Sequence, residues 1–184
     1  MKRIVLDLKR SRLYGFRSVI IFFSLLIALL VMSYALFHNP HQKLHEAVFA
    51  TADNIRNFYR DEPGYWHLSI DNALQNSLVT GELLKYKDEY SLAIGEGING
   101  EMGMPFDASF DIVLKKLNKS DCINLSELPV AKDQQLGLQK ITLIHEEKVT
   151  EFSWGDENTP LPIAKYATRN ICQMSDNIII WTFQ

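Results

Sequence analysis

The chain has 184 residues, a formal net charge of −3 and two cysteines. The 147 residues beyond position 37 suffice for one domain with a real core. The acidic balance argues against nucleic acid as a partner, because phosphate binding needs a basic face.

Charge is unevenly spread. Residues 1–15 carry Lys2, Arg3, Lys9, Arg10 and Arg12 against Asp7, a net +4, which leaves −7 for the remainder. From Val19 to Phe37 the chain reads VIIFFSLLIALLVMSYALF, 19 residues without a charge. As a helix this stretch would cover about 28 Å, close to the ~30 Å of a bilayer's hydrocarbon core. A core helix of a soluble domain is the alternative, but one this long usually shows a polar stripe. The expectation is a membrane-spanning helix. The basic flank then keeps the N-terminus cytoplasmic and exports residues 38–184. An ordinary secretory signal has a shorter apolar run and an A-x-A cleavage site, and HNPHQK offers none. In an oxidising compartment Cys122 and Cys172 most simply form one disulfide, and two buried free thiols are the alternative.

Pro40 should bend or end a helix. Beyond it Leu44, Val48, Thr51, Ile55 and Tyr59 recur at helical spacing, with Lys43, Glu46, Asp53 and Arg56 on the polar face. The pattern predicts an amphipathic helix stopped by Pro63-Gly64. Residues 70–79 predict a short helix capped by Asp71 and ended by Thr80-Gly81. Tyr90 to Ile94 and residues 109–114 predict strands. Ser120 or Asp121 would cap a short helix through Leu125 and Leu128, closed by Pro129. Residues 138–144 and 148–154 alternate as strands, with a turn at Gly155-Asp156 and a proline-containing loop over 158–163. Asn177 to Phe183 is the strongest strand, rich in β-branched and aromatic side chains. Helix first, then strands favouring an antiparallel sheet, is an α+β plan.

Chemical motifs are sparse. Gly95, Gly97 and Gly100 spell G-x-G-x-x-G, but Gly103 and Pro105 forbid the helix that dinucleotide binding needs. A hairpin or mobile loop is the expectation there. His38, His41 and His45 would share a helix face, yet no carboxylate or cysteine joins them in sequence, so no metal site is expected. His145-Glu146 does not extend to H-E-x-x-H. Asn118-Lys119-Ser120 matches a glycosylation acceptor, which has meaning only in a eukaryotic secretory pathway. No G-x-S-x-G, C-x-x-C or nucleophile–base–acid set appears. The expectation is a protein that is not an enzyme and holds no cofactor.

With these residues laid out, the chain resembles a type IV pilin of the type IVb branch. A basic leader ends at Gly15 and is followed by Phe16 and an apolar helix. That helix passes into an amphipathic one, as in the pilin spine. SFDIVLKKLNKSDCINL and NICQMSDNIIIWTF resemble the pilin's cysteine-bearing helix and its final strand. The resemblance implies a long N-terminal membrane-spanning α-helix packed on a C-terminal antiparallel β-sheet domain. It divides the chain into a leader (1–15), a transmembrane plus amphipathic spine (16–62) and an exported globular domain (63–184). It further implies cleavage between Gly15 and Phe16, N-methylation of Phe16, and a Cys122–Cys172 disulfide. The implied partners are other pilin subunits, a prepilin peptidase, an inner-membrane assembly platform and membrane lipid. The implied location is the inner membrane, then the pilus or cell surface.

One departure is informative. Pilins usually carry Glu at the fifth mature position, to neutralise a neighbour's N-terminal amine. Here that position is Ile20, and Arg17 stands second. Burying an uncompensated ammonium costs several kcal/mol, so the departure points to a minor, tip-type or assembly-initiating subunit. Adhesion and aggregation are further roles such a subunit can serve. A pseudopilin of a type II secretion system and a signal-anchored periplasmic enzyme or binding protein are the alternatives.

Overall fold

The computed structural model describes residues 21–32, 40–96, 109–127 and 137–184. Residues 21–32 are helical, here α1. Their apolar side chains are exposed all round, from Leu26 at 42% to Met32 at 69%. Among the described residues no helix is long and apolar enough to cross a membrane. Val19, Ile20 and residues 33–37 of the predicted span lie outside the described residues.

Residues 41–184 form one compact unit. It opens on α2 (Pro40–Phe58). Pro40 is the first described residue of this helix, and the residues before it, on which the expected bend or stop depends, lie outside the described residues. Leu44, Ala47, Val48, Thr51, Ala52 and Ile55 are buried, as the helical spacing predicts, while Lys43, Glu46 and Asp53 are exposed. Two short helices follow, α3 (Ile70–Gln75) and α4 (Gly81–Lys85). Here the sequence reading needs correction. Ser69, not Asp71, caps α3 by accepting from the Asn72 amide, and the helix ends at Gln75. Thr80 and Gly81 start α4 instead of ending α3, with Thr80 accepting from the Leu83 amide. The segment is pinned to α2 by side chains. The Thr80 amide donates to Thr51 Oγ1 (3.1 Å), and Asn54 Nδ2 donates to the Leu78 carbonyl (3.0 Å).

Among the described residues five strands make one antiparallel sheet: β1 (Ala93–Glu96), β2 (Phe110–Leu117), β3 (Leu138–His145), β4 (Lys148–Ser153) and β5 (Asn177–Phe183). Their order is β1-β2-β5-β3-β4. The last strand is therefore central, paired with β2 from Phe110↔Phe183 to Leu117↔Asn177 and with β3 from Leu138↔Phe183 to Ile144↔Ile178. A bulge between Leu114 and Leu117 leaves Lys116 at φ 61° and lets Leu117 turn inward. Phe110, Ile112, Leu114, Ile141, Leu143, Ile179, Trp181 and Phe183 are buried in the core beside the apolar stripe of α2. Phe49 meets Phe183 edge-on at 5.6 Å, and Phe183 stacks on Phe110 at 5.4 Å. Such aromatic geometries add roughly 0.5–1.5 kcal/mol per pair beyond area burial.

Candidate functional site

Two further helices build the corner that ties the C-terminal region to the sheet: α5 (Lys119–Ser126) and α6 (Lys165–Ile171). Asn118, not Ser120 or Asp121, caps α5: its Oδ1 accepts from the Asp121 amide at 2.9 Å. The next residue, Cys122, is bonded to Cys172, which follows α6 directly, with a Cα–Cα distance of 5.9 Å. Both cysteines are buried. The bond closes a loop that contains β3, β4 and α6, and α6 lies in a stretch with no clear periodicity.

Polar side chains finish this corner. Asn177 is 1% exposed, yet fully used. Its Nδ2 donates to the carbonyls of Leu117 and Gln173, each at 2.8 Å, and its Oδ1 accepts from the Gln173 amide at 2.8 Å. That one residue joins the end of β2, the chain after Cys172 and the start of β5. Tyr90 donates to Asp121 Oδ2 (3.1 Å), which also accepts from Asn118 Nδ2 (2.6 Å). Burial, with the Asp121 carboxylate beside it, pushes the Tyr90 phenol well above its ordinary range. It stays protonated, a permanent donor. Thr182 donates to Asp111 Oδ1 at 2.6 Å on the opposite face of the sheet. In these networks each named acceptor is met by a fixed donor, which ties β2, α5 and β5 together.

Of the other predicted residues, Gly15, Phe16, Arg17 and Ile20 lie outside the described residues, as do Gly97 and Gly100. Gly95 is a strand residue of β1. His38 lies outside the described residues too. His45 is buried against Phe49, ring centroids 4.8 Å apart, and desolvation lowers its pKa to about 4 despite the nearby Glu46. Its Nε2 has no hydrogen-bond partner among the described residues. A neutral core imidazole is the result. Among the described residues no group of three or more His, Cys, Asp or Glu side chains is placed to hold a metal ion. The spacing of the histidines did not show that His45 is buried; its place between Leu44 and Val48, on the apolar side of α2, was the signal that could have.

No family model matches the chain, and no curated protein matches it. Among solved structures it is similar to the crystal structure of TcpA, a type IV pilin from Vibrio cholerae El Tor biotype. The TM-score is 0.53 at 11% sequence identity, covering 79% of this chain and 99% of that one. At such low identity the likeness speaks to architecture. The amphipathic helix, the antiparallel sheet and the disulfide-tied corner together have the type IV pilin fold.

Proposed function

We propose that this chain is a minor pilin-type subunit, non-catalytic, inserted in the inner membrane and assembled into, or priming, a type IV pilus. The observation that carries the reading is the fold likeness to a type IV pilin across 99% of that protein's solved chain. Two features support its finer parts. The 19-residue uncharged stretch Val19–Phe37 follows a basic segment, and its residues 21–32 are helical with apolar side chains on every side. A helix apolar all round has no aqueous face, so it suits lipid or packing among sister helices. Ile20 in place of the expected carboxylate then assigns a position where no neighbour's amine must be neutralised.

In this account a prepilin peptidase cuts between Gly15 and Phe16, Phe16 is N-methylated, and the inner-membrane platform feeds the helix into the filament. Residues 63–184 are presented for assembly, adhesion or aggregation. The test is mass-spectrometric reading of the N-terminus of protein extracted from envelopes, beside a Gly15→Arg variant. The expected mature chain begins at a methylated Phe16, and the variant stays uncut and fails to complement a deletion strain. Pili of normal number and length with the uncut variant as sole copy would overturn the reading.

A further inference from the structure

The sheet has a second face, turned away from the core. Alternation places Val113, Ile144, Ile178 and Ile180 on it, because their neighbours Ile112, Leu143, Ile179 and Trp181 belong to the core. The register sets two rows across this face. One row is Ile178, Ile144 and Val149, in β5, β3 and β4. Lys115 extends it on the β2 side, where it lines a groove of about 320 Å³ with Ile178. The other row runs Val113, Ile180, Thr142 and Glu151, from β2 to β4. Val149 is 56% exposed at one margin of the face, and the groove lies towards the other.

Charge is arranged the same way. Lys115 is exposed and makes no ion pair among the described residues. The Glu151 side chain lies on the far side, 49% exposed, and meets Lys140 at 3.4 Å. Lys115 and Lys140 balance Asp111 and Glu151, so the face is neutral in a chain whose residues beyond position 15 carry −7. Two such faces do not repel each other.

We propose that this face pairs with the same face of a second copy, about a twofold axis parallel to the strands and between β5 and β3. That operation lays β2 of one copy over β4 of the other and keeps each row on itself. Val149 of one copy then enters the groove beside Lys115 and Ile178 of the other. Lys115 stands diagonally across from Glu151 of that second copy. Symmetry repeats both contacts, as a closed twofold interface requires. A second copy brings a protruding valine for the groove and a carboxylate for Lys115 at the spacing the face itself sets. Aligned face-to-face packing is an ordinary way for two sheets to meet. Size sets the strength. Strands ~4.8 Å apart and rows ~6.8 Å apart give the strip roughly 300 Å² per copy. A stable complex takes about 800 Å² per partner, so the pairing is weak and serves crowded copies rather than dilute ones. The inference rests on the sheet alone and needs neither cleavage at Gly15 nor assembly into a filament.

The test uses the full-length protein in detergent micelles at about 1 mM, with a short bismaleimide cross-linker. The native cysteines are bonded to each other and do not react. Chains carrying Val113→Cys are mixed with chains carrying Glu151→Cys. Across the twofold axis these positions face each other, whereas the two copies of either one lie about 14 Å apart along the sheet, three strand spacings. Cross-linked dimer is expected in the mixture, and about fivefold less or lower in either variant alone. Val149→Lys in both chains sets a like charge on Lys115 and should lower the yield about tenfold, and adding Lys115→Glu should restore it. Both positions are exposed, so the melting temperature should not move. Equal yield from Val113→Cys chains alone would overturn the proposal, as would a yield that Val149→Lys leaves unchanged. No cross-link in the mixture would also overturn it and leave the face to a different protein.

Discussion

Helices α1 and α2 are both rich in apolar residues, yet they differ in what surrounds them. In α2, Leu44 is 2% exposed and Ile55 is fully buried, while in α1 Ile21 is 59% and Met32 69% exposed. One helix finds its apolar partner in its own unit, beside the sheet. The other has its apolar side chains exposed. The lesson is that helicity and burial are separate matters. Both stretches satisfy the backbone the same way, but only an amphipathic stripe is matched to a core on one side and water on the other.

The contrast can be broken by charging each helix in turn. Ile55→Asp places a carboxylate in the core and should cost about 5 kcal/mol, enough to abolish the cooperative unfolding transition by circular dichroism. A wild-type melt for this variant would mean α2 is not part of the folded unit. Next comes the bond that closes the 50-residue loop from Cys122: Cys172→Ser should cost roughly 3–4 kcal/mol, seen as a lower denaturation midpoint. Adding reductant should bring the parent protein to the same midpoint and leave the variant unmoved.

A pH titration sharpens the comparison at one residue of α2. The folded state holds the His45 pKa at about 4, below the ordinary 6.5, because burial disfavours the imidazolium. The unfolded chain therefore binds the extra proton first. Stability is full above pH 6.5, falls as pH drops towards 4, and then levels off, a loss of about 3 kcal/mol at most. His45→Phe should flatten that slope in urea melts at stepped pH. Asn118→Ala, removing the cap of α5, should cost about 1 kcal/mol. Smallest of all, Ile27→Lys in α1 should change the melting of the folded unit by less than about 0.5 kcal/mol. If α1 is inserted as proposed, the same variant should move protein from the membrane pellet to the soluble fraction, because a charge at the centre of an inserted helix is costly.

Much of this architecture was legible in sequence, for identifiable reasons. Asn177 to Phe183 read as the strongest strand because a central strand pairs on both edges and buries one face, which selects β-branched and aromatic residues. Leu44, Val48, Thr51 and Ile55 read as a helix face because α2 lies beside one core along its length. The short elements were not legible. Helices α4 and α6 have five and seven residues, too few for a period, and their place is set by contacts such as Thr80 with Thr51 and Cys172 with Cys122. Caps were misplaced for a related reason. Ser69 and Asp71, or Asn118 and Ser120, are equally able acceptors until the backbone settles which side chain meets a free amide.

Composition and local pattern alone therefore determined an acidic chain with an uncharged N-terminal stretch, an amphipathic helix and an antiparallel sheet ending on its best strand. Those features repeat every two or every 3.6 residues and need no distant partner to be recognised. Tertiary structure alone decided that β5 sits between β2 and β3, that His45 is a neutral core side chain, and that Arg56, Tyr65 and Gln184 meet at the end of α2. Each of those depends on residues up to 128 positions apart, as Arg56 and Gln184 are, and no period in a linear chain records such a meeting.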